Sequence, residues 1–304
     1  MTGQRIAITG SSGLIGGALS SYLRRRGDTV VRLVRRPAVG PLEVTLPPPG
    51  ASPGAFVDAL ADVDAVVNLA GAGVGDRRWT REYRDTLWRS RVETTRTLVE
   101  ALGQVSGPTR LISSSATGFY GERGDDVVDE SDGPGDDFLA RLCVEWEAVA
   151  SEAAPRHSVA LARTGLVVAP DGGAFAPLAR LTRLGAGGPL GPGTQWWSWI
   201  TLEDEVCALV FLLDHPDVTG PVNIVAPRAG RQVDLARSLG RSLRRPAVLP
   251  APEWALRAAL GEMSTQLTTS TRVRPRVLRD AGFAWHGANQ DQALDRLVAG
   301  RRGA

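Results

Sequence analysis

Three glycines near the N-terminus constrain this chain most, because they stand between a strand pattern and a helix pattern. The run from Arg5 to Thr9 is apolar enough for a buried strand, and residues 14–25 follow helical periodicity up to Gly27. Gly10, Gly13 and Gly16 punctuate the turn between them. Such a turn lets backbone N–H groups and a helix N-terminus approach a diphosphate closely. The spacing therefore predicts a dinucleotide site.

The segments that follow alternate between strand and helix patterns. Strands are predicted at 29–34, 42–46, 65–70, 110–114, 158–163 and 221–225, and helices at 56–60, 82–102, 138–151 and 201–213. Proline and glycine dominate residues 37–53 and 172–193, and the chain after Gln232 is mainly helical in pattern.

Strands that alternate with helices predict an α/β fold, a Rossmann-type doubly wound parallel sheet with right-handed crossovers. We expect residues 1–165 to form this coenzyme-binding domain and residues 199–226 to return to it. Residues 166–198 and 227–304 are expected to form a smaller, mainly helical C-terminal substrate lobe.

The end of the second strand predicts which dinucleotide binds. Where NAD is preferred, an acidic residue there accepts hydrogen bonds from the ribose 2′-hydroxyl. This chain has Val34, Arg35 and Arg36 instead, so no carboxylate repels a 2′-phosphate and guanidinium groups can bind one. We therefore expect NADP or NADPH as the coenzyme. The alternative is a solvated basic strand end.

Composition limits the partners. The net charge of +2 over 304 residues favours neither nucleic acid nor an anionic membrane, so we expect a small-molecule substrate. All of the positive charge is arginine, because the sequence contains no lysine. Cys143 and Cys207 lack metal-ligand spacing, which predicts free thiols and no metal. Without a cationic leader or an apolar run of ~20 residues, a cytoplasmic location is expected. No feature predicts the oligomeric state.

Three motifs carry a resemblance to a known family. TGSSGLIG (9–16), NLAG (68–71) and SSSATGFYG (113–121) resemble the extended short-chain dehydrogenase/reductase superfamily, in its epimerase/dehydratase branch. Further segments, among them GDDFLARLCVEWE (135–147), GGPLGPGTQWWSWI (187–200) and LGEM (260–263), are similar to the YfcH-like epimerase family. The resemblance covers essentially the whole chain, including a C-terminal domain of unknown function. It implies an NADP-dependent oxidoreductase or epimerase acting on a small carbonyl or sugar-like substrate.

The resemblance also shows what is missing. The superfamily uses a tyrosine as general acid/base, with a lysine four residues later that lowers its pKa. Here that segment reads Phe138-Leu-Ala-Arg-Leu142. Ser115 matches the superfamily's catalytic serine, and Tyr120 is the phenol nearest in sequence, so these two are the candidate catalytic residues. Ser115 could equally satisfy loop backbone, and the missing pair favours an alternative function as a non-catalytic NADP-dependent sensor or regulatory protein.

The remaining site residues are assigned from the glycine turn and the resemblance together. The predicted coenzyme-binding residues are Thr9, Gly10, Ser12, Gly13, Leu14, Ile15, Gly16, Arg35, Arg36, Leu69, Ala70, Gly71, Arg91, Ser113 and Arg163. Arg91 either contacts an anionic substrate or braces the adjacent loop. Trp196, Trp197 and Trp199 are predicted to line the substrate pocket, with core packing as the alternative. The carboxylates of Glu203 and Asp204 are explained by the dipole of the helix that begins there.

Overall fold

The computed structural model describes residues 3–48, 54–169, 172–173 and 175–300. The end of the proline-rich connection, residues 49–53, and the terminal residues 301–304 lie outside the described residues. The strands are β1 (Arg5–Thr9), β2 (Thr29–Val34), β3 (Glu43–Thr45), β4 (Ala65–Asn68), β5 (Arg110–Ala116), β6 (Val127–Val128), β7 (Ser158–Thr164), β8 (Leu166–Val168), β9 (Trp196–Trp197), β10 (Trp199–Thr201), β11 (Gly220–Ile224), β12 (Gly230–Arg231) and β13 (Arg272–Val273). The helices are α1 (Leu14–Arg26), α2 (Gly54–Ala61), α3 (Arg81–Leu102), α4 (Phe138–Ser151), α5 (Phe175–Arg183), α6 (Leu202–Asp214), α7 (Gln232–Leu243), α8 (Glu253–Leu260), α9 (Thr265–Thr268), α10 (Arg276–Asp280) and α11 (Gln290–Gly300).

A seven-stranded parallel sheet, in the order β11-β7-β5-β4-β1-β2-β3, forms the centre of the molecule. The predicted Rossmann-type α/β fold is confirmed. Every strand predicted for this sheet is present, with bounds within two residues of the prediction. The strand order reverses between β1 and β4, which is where a doubly wound sheet opens a crevice at its carboxyl edge.

Helices cover both faces of the sheet because its strands are apolar on both sides. On one face, Leu19 and Leu23 of α1 and Leu209 of α6 pack on inward-facing residues such as Ile6 and Ile8. On the other face, α2, α3 and α4 bury side chains against the alternate positions of the same strands. This two-sided burial explains why the central strands read as continuous apolar runs.

The C-terminal region packs partly on the sheet and partly on itself. Leu278 and Phe283 join the same core as α1 and α6. Helices α5, α7 and α11 share a separate apolar cluster that includes Phe175, Leu235 and Leu294. Helix α5 lies inside the glycine- and proline-rich segment where no helix was predicted. The expected division into a coenzyme domain and a substrate lobe remains a prediction.

Asp204 connects the start of α6 to the segment that precedes α11. Its buried carboxylate accepts the backbone N–H groups of His286 and Gly287 at 2.8 Å each. The carboxylate therefore does more than interact with the dipole of α6.

None of the described helices is both long enough and apolar enough to cross a membrane.

Candidate functional site

The glycine turn has the geometry that a diphosphate requires. Gly10 has a φ of +64°, and a Cβ there would lie 2.5 Å from the Leu69 carbonyl oxygen. A Cβ at Gly16 would overlap the Gly10 carbonyl oxygen, so glycine lets α1 sit directly on the turn. Helix α1 follows Gly13 and has no acidic residue in its first turn. Its N-terminus is therefore suited to an anion.

A cleft of about 450 Å³ opens beside this turn, at the carboxyl ends of β1, β2 and β4. We call it the β1–β2 cleft. Of the predicted coenzyme-binding residues, the turn, the end of β2 and the loop after β4 line it. The lining residues are Gly10, Ser11, Ser12, Gly13, Arg32, Leu33, Val34, Arg35, Arg36, Leu46, Leu69, Ala70, Gly71, Ser90 and Thr94. The cleft lies at the point where the strand order reverses, which is where doubly wound sheets bind dinucleotides.

The arginines of this cleft differ in their bonding. Arg36 binds both carboxylate oxygens of Glu43 at 2.7 Å, and Arg32 lies 3.1 Å from the same carboxylate. The hydrogen bond from Arg36 is the main reason why the pKa of Glu43 falls to about 2. Arg35 is exposed, and within the described part of the chain its guanidinium group has no ion pair or hydrogen bond. Arg35 is thus free to bind a phosphate, whereas Arg36 would have to exchange Glu43 for one.

A buried hydrogen-bond network shapes the loop after β4. The Thr9 hydroxyl donates to Asn68 Oδ1 at 2.7 Å and accepts the N–H groups of Leu69 and Ala70. Asn68 Nδ2 in turn donates to the Ser113 hydroxyl at 3.2 Å. Through this network Thr9 and Ser113 hold the loop after β4 in place, but neither residue lines the cleft.

A second space, the β5–β7 cavity, lies at the carboxyl ends of β5 and β7 beneath the C-terminal region. It measures about 280 Å³. Its walls come from the strand ends, the start of α4, the β9 segment, and α9 with the residues that follow it. The lining residues are Val74, Ala116, Thr117, Gly118, Gly121, Asp137, Leu139, Thr164, Gly165, Leu166, Leu178, Trp196, Trp197, Ser198, Gln266, Leu267, Thr269 and Thr271. Both spaces open at the same edge of the sheet.

Comparison with known proteins decides the family. The model of the NAD dependent epimerase/dehydratase family matches residues 6–225, and that of a domain of unknown function, DUF1731, matches residues 251–297. The chain belongs to the NAD-dependent epimerase/dehydratase family.

Relatives of this epimerase-family protein match it along nearly its whole length. An epimerase family protein of Mycobacterium bovis is 42% identical over 292 residues, which are 95% of this chain and 96% of the relative. The crystal structure of human epimerase family protein SDR39U1 (isoform 2) with NADPH superposes with a TM-score of 0.87 at 30% identity, covering 97% of this chain and 99% of the human one. MoeE5 in complex with UDP-glucuronic acid and NAD shares the fold, with a TM-score of 0.78 at 23% identity over 99% of this chain and 100% of its own.

In helix α4 of this epimerase-family protein, the Leu139 side chain lines the β5–β7 cavity. Phe138 packs against the Trp79 ring instead, with the ring centroids 5.4 Å apart. Cys143 and Glu147 follow Leu139 at intervals of four residues on the same helix face. The segment predicted to hold the tyrosine–lysine pair runs from Phe138 to Leu142, and within it Leu139 lines the cavity, while Cys143 Sγ lies 3.9 Å from the Ala116 carbonyl oxygen of β5. Burial raises the pKa of the Cys143 thiol to about 12, so it stays protonated.

Ser115, Glu147 and Arg163 form a buried group between α4, β5 and β7. The Ser115 hydroxyl donates to Glu147 Oε1 at 2.6 Å, and Arg163 donates to both carboxylate oxygens at 2.8 Å. The prediction that Arg163 binds the coenzyme is contradicted, because its side chain is only 4% exposed and its guanidinium group is held by Glu147. Ser115 gives its one proton to Glu147, so in this conformation its hydroxyl cannot donate to a ligand.

Tyr120 does not reach either space. Its ring is fully buried, its hydroxyl donates to Asn223 Oδ1 at 2.8 Å, and Arg163 donates to it at 3.0 Å. Burial raises the pKa of Tyr120 to about 12. The hypothesis of Tyr120 as a catalytic acid is therefore wrong, because a phenol that is sequestered from ligands cannot protonate one.

The tryptophans separate into two groups. Trp196 and Trp197 line the β5–β7 cavity, as predicted for a pocket. Trp199 is only 1% exposed, packs in the α5–α7–α11 cluster and donates from Nε1 to the Arg228 carbonyl at 3.1 Å. Its predicted pocket role is contradicted, because its ring faces away from the cavity into this core.

Three other residues that were predicted to bind the coenzyme lie behind the walls of the two spaces. Arg91 donates to the carbonyls of Ala72 and Leu87, so it braces the loop and lines neither space. The Leu14 side chain lies beneath Gly172, and Ile15 packs against the sheet core.

Sequence reasoning missed several lining residues. Arg32 carried a signal, since it is a charged residue inside the apolar strand β2, two residues before Val34 and hence on the same face. Ser11, Ser90 and Thr94 had no such signal, and neither did the segment from Gln266 to Thr271.

Glu205 and Thr164 form a further pair beside the β5–β7 cavity. Thr164 lines the cavity, and its hydroxyl lies 2.8 Å from Glu205 Oε1. Glu205 is 1% exposed, and among the described residues its Oε2 has no hydrogen-bond partner. Burial raises the pKa of Glu205 to about 8, while the bond with Thr164 acts in the opposite direction. The carboxyl group is therefore mostly protonated at neutral pH.

Proposed function

We propose that this protein binds NADP(H) and is an oxidoreductase or epimerase for a small carbonyl or sugar-like compound held in the β5–β7 cavity. The observation that carries the proposal is the position of this cavity, which lies at the same sheet edge as the β1–β2 cleft beside the glycine turn. In a doubly wound sheet a dinucleotide lies across this edge, so its nicotinamide half would point toward β5 and β7. The family membership and the NADPH of the human relative's structure support the coenzyme.

Specific residues would hold the coenzyme. The backbone from Gly10 to Gly13 and the N-terminus of α1 suit its diphosphate, and Arg35 suits a 2′-phosphate. The bound coenzyme supplies or accepts the hydride. The chain's own groups must then orient the reacting oxygen and move a proton to or from it.

Thr164 and Glu205 are the groups that we propose for the proton. When the Glu205 carboxyl is protonated, it can donate to Thr164 Oγ1, which leaves the Thr164 hydroxyl proton free for an oxygen in the cavity. Within the described chain, Thr164 is the only polar partner of this carboxyl, and burial keeps it neutral. This pair would take the part that the superfamily gives to tyrosine and lysine.

A non-catalytic NADP-dependent sensor is the second candidate. It is favoured by Leu139 and Cys143, since neither side chain can transfer a proton at neutral pH from the places that face the sheet. A catalyst oxidises NADPH in the presence of a carbonyl compound, and Thr164→Val should slow that reaction by about 100-fold. A sensor shows no such reaction but changes its protein partners when NADPH is added.

Coenzyme preference is tested with charge reversal at Arg35. Arg35→Asp should weaken NADPH binding by at least tenfold in calorimetry and leave NADH binding nearly unchanged, because only NADPH carries the 2′-phosphate. Arg25→Asp is the matched control, since Arg25 is exposed on α1 and does not line the cleft. Equal losses for NADPH and NADH would show that the 2′-phosphate is held elsewhere, and no binding of either would end the proposed function.

A further inference from the structure

The β5–β7 cavity is small and largely apolar. At about 280 Å³ it lies just below the usual range of ligand pockets, roughly 300–1,000 Å³. Leu139, Leu166, Leu178 and Leu267 form much of its wall, together with the ring of Trp197. Such a space fits a compact molecule that buries hydrocarbon surface.

Charge is the second observation. All cationic side chains of this chain are arginines, yet none of the described residues that line the cavity is an arginine. The lining residue with a charge is Asp137, whose Oδ1 accepts the Ala140 N–H at the start of α4. A nucleotide sugar carries a diphosphate, which proteins bind with guanidinium groups, ammonium groups or helix N-termini.

Three guanidinium groups around the cavity contact other groups instead. Arg163 is held by Glu147 in the interior. Arg231 lies over the Trp196 ring at 4.0 Å and pairs with Asp125 at 2.8 Å. Arg272 lies over the same ring at 4.3 Å. Neither Arg231 nor Arg272 lines the cavity.

Trp197 supplies the third observation. Its side chain lines the cavity and is 8% exposed, and its buried indole Nε1–H has no acceptor among the described residues. An indole N–H is a donor only, and a buried donor without an acceptor costs about 1–3 kcal/mol. By contrast, the Nε1–H groups of Trp196 and Trp199 both have acceptors, Asp125 and the Arg228 carbonyl.

We infer that the cavity binds a small, uncharged, largely hydrocarbon compound with a carbonyl or hydroxyl oxygen that accepts a hydrogen bond from Trp197 Nε1. The small volume of the cavity and the lack of an arginine among its described lining residues argue against a nucleotide sugar inside it, although a protein of the same fold was solved with UDP-glucuronic acid. The inference rests on the proposed function, because it takes this cavity as the substrate site and is tested on the coenzyme-bound chain.

The test uses a pair of probes that differ in one group. Acetophenone has a carbonyl oxygen, and α-methylstyrene has a CH₂ group in its place. Binding of each to the full chain saturated with NADP⁺ is measured by saturation-transfer NMR, beside UDP-glucose and UDP-glucuronic acid. We expect acetophenone to bind about fivefold to tenfold more tightly than α-methylstyrene, and no competition from either nucleotide sugar.

Variants identify the recognising group. Trp197→Phe keeps an aromatic ring but removes the N–H, so it should abolish the preference for acetophenone even if both affinities change. Trp254→Phe is the matched control, since Trp254 is 76% exposed on α8, outside the cavity, and the preference should persist.

Three results would overturn the inference: binding of neither aromatic probe, displacement of acetophenone by a nucleotide sugar, or an unchanged preference in Trp197→Phe. Each is separable from failure of the proposed function, which would appear as a lack of NADPH binding in calorimetry.

Discussion

The neighbouring glycines Gly16 and Gly17 of α1 have different surroundings, and only Gly16 packs closely on the glycine turn between β1 and α1. A Cβ at Gly16 would overlap Gly10 and Ser11 backbone atoms, whereas a Cβ at Gly17 would lie 3.8 Å from the Ser11 carbonyl oxygen, an ordinary contact. The helix can therefore accept alanine at Gly17 but has to shift on the turn to accept it at Gly16.

Gly16→Ala should lower the free energy of unfolding by about 1–3 kcal/mol, since the overlap displaces α1, and should weaken NADPH binding by tenfold or more. Gly17→Ala should raise stability by up to about 1 kcal/mol, because alanine is the better helix former. Urea unfolding and calorimetry measure both effects. Similar results for the two variants would contradict the close packing of α1 on the turn.

Glu205 predicts how stability depends on pH. Its pKa rises from the ordinary 4.5 to about 8 in the folded chain. The folded state therefore retains a proton that the unfolded state loses, so the stabilising contribution is complete below pH 4.5 and is lost as pH rises to 8. The free energy of unfolding should fall by up to about 1.4 kcal/mol per pH unit in this window.

Glu205→Gln should flatten that part of the pH dependence, as measured by urea unfolding at pH 5 and pH 8. Glu203→Gln is the control, because Glu203 is exposed in the same turn of α6 and should leave the slope unchanged. If the slope of Glu205→Gln equals that of the wild type, the buried carboxyl is not protonated at neutral pH.

At the scale of elements, α4 is held to the sheet by one buried ion pair. The Glu147 carboxylate of α4 accepts hydrogen bonds from Arg163 of β7 and Ser115 of β5, so three elements meet at this one group. Removing one partner leaves a buried charge without compensation, which is more costly than replacing both by apolar residues.

Glu147→Ala should therefore lower the free energy of unfolding by about 3–5 kcal/mol, and the double change Glu147→Met with Arg163→Met should recover most of it. Arg89→Ala, which breaks an exposed pair with Glu93, should cost less than about 0.5 kcal/mol. Chemical unfolding checks the series, and a double variant as unstable as Glu147→Ala would contradict this account.

At the scale of the whole molecule, Asp204 decides how the C-terminal region sits on the sheet. Its carboxylate accepts two backbone N–H groups just before α11, at 1% exposure. Hydrogen bonds to a buried carboxylate each contribute about 1.5–3 kcal/mol, so they can hold the loop that precedes the last helix.

Asp204→Ala should accelerate amide hydrogen exchange at 286–287 and in α11 by tenfold or more, while exchange in β1 and α1 changes little. Asp234→Ala, which breaks an exposed pair with Arg237 on α7, serves as the control and should leave exchange in α11 unaltered. Uniformly faster exchange across the sheet would mean that Asp204 supports the entire fold.

The sequence by itself determined the sheet, the glycine turn and the family, because each depends on local patterns. Strand and helix periodicity are written residue by residue, and so is the spacing of Gly10, Gly13 and Gly16. The turn, the loop after β4 and Arg35, which the sequence predicts to bind the coenzyme, line one cleft, and their role in binding stays a prediction.

Only the tertiary structure decided what Tyr120, Arg163 and Trp199 do, because each side chain forms hydrogen bonds with a partner from another element of the chain. The same holds for Leu139, whose place in the cavity wall depends on how α4 packs, and for Trp197, which lines the cavity with the 266–271 segment only after folding. Local sequence specifies what an element is, whereas long-range packing specifies which of its side chains are left for a ligand.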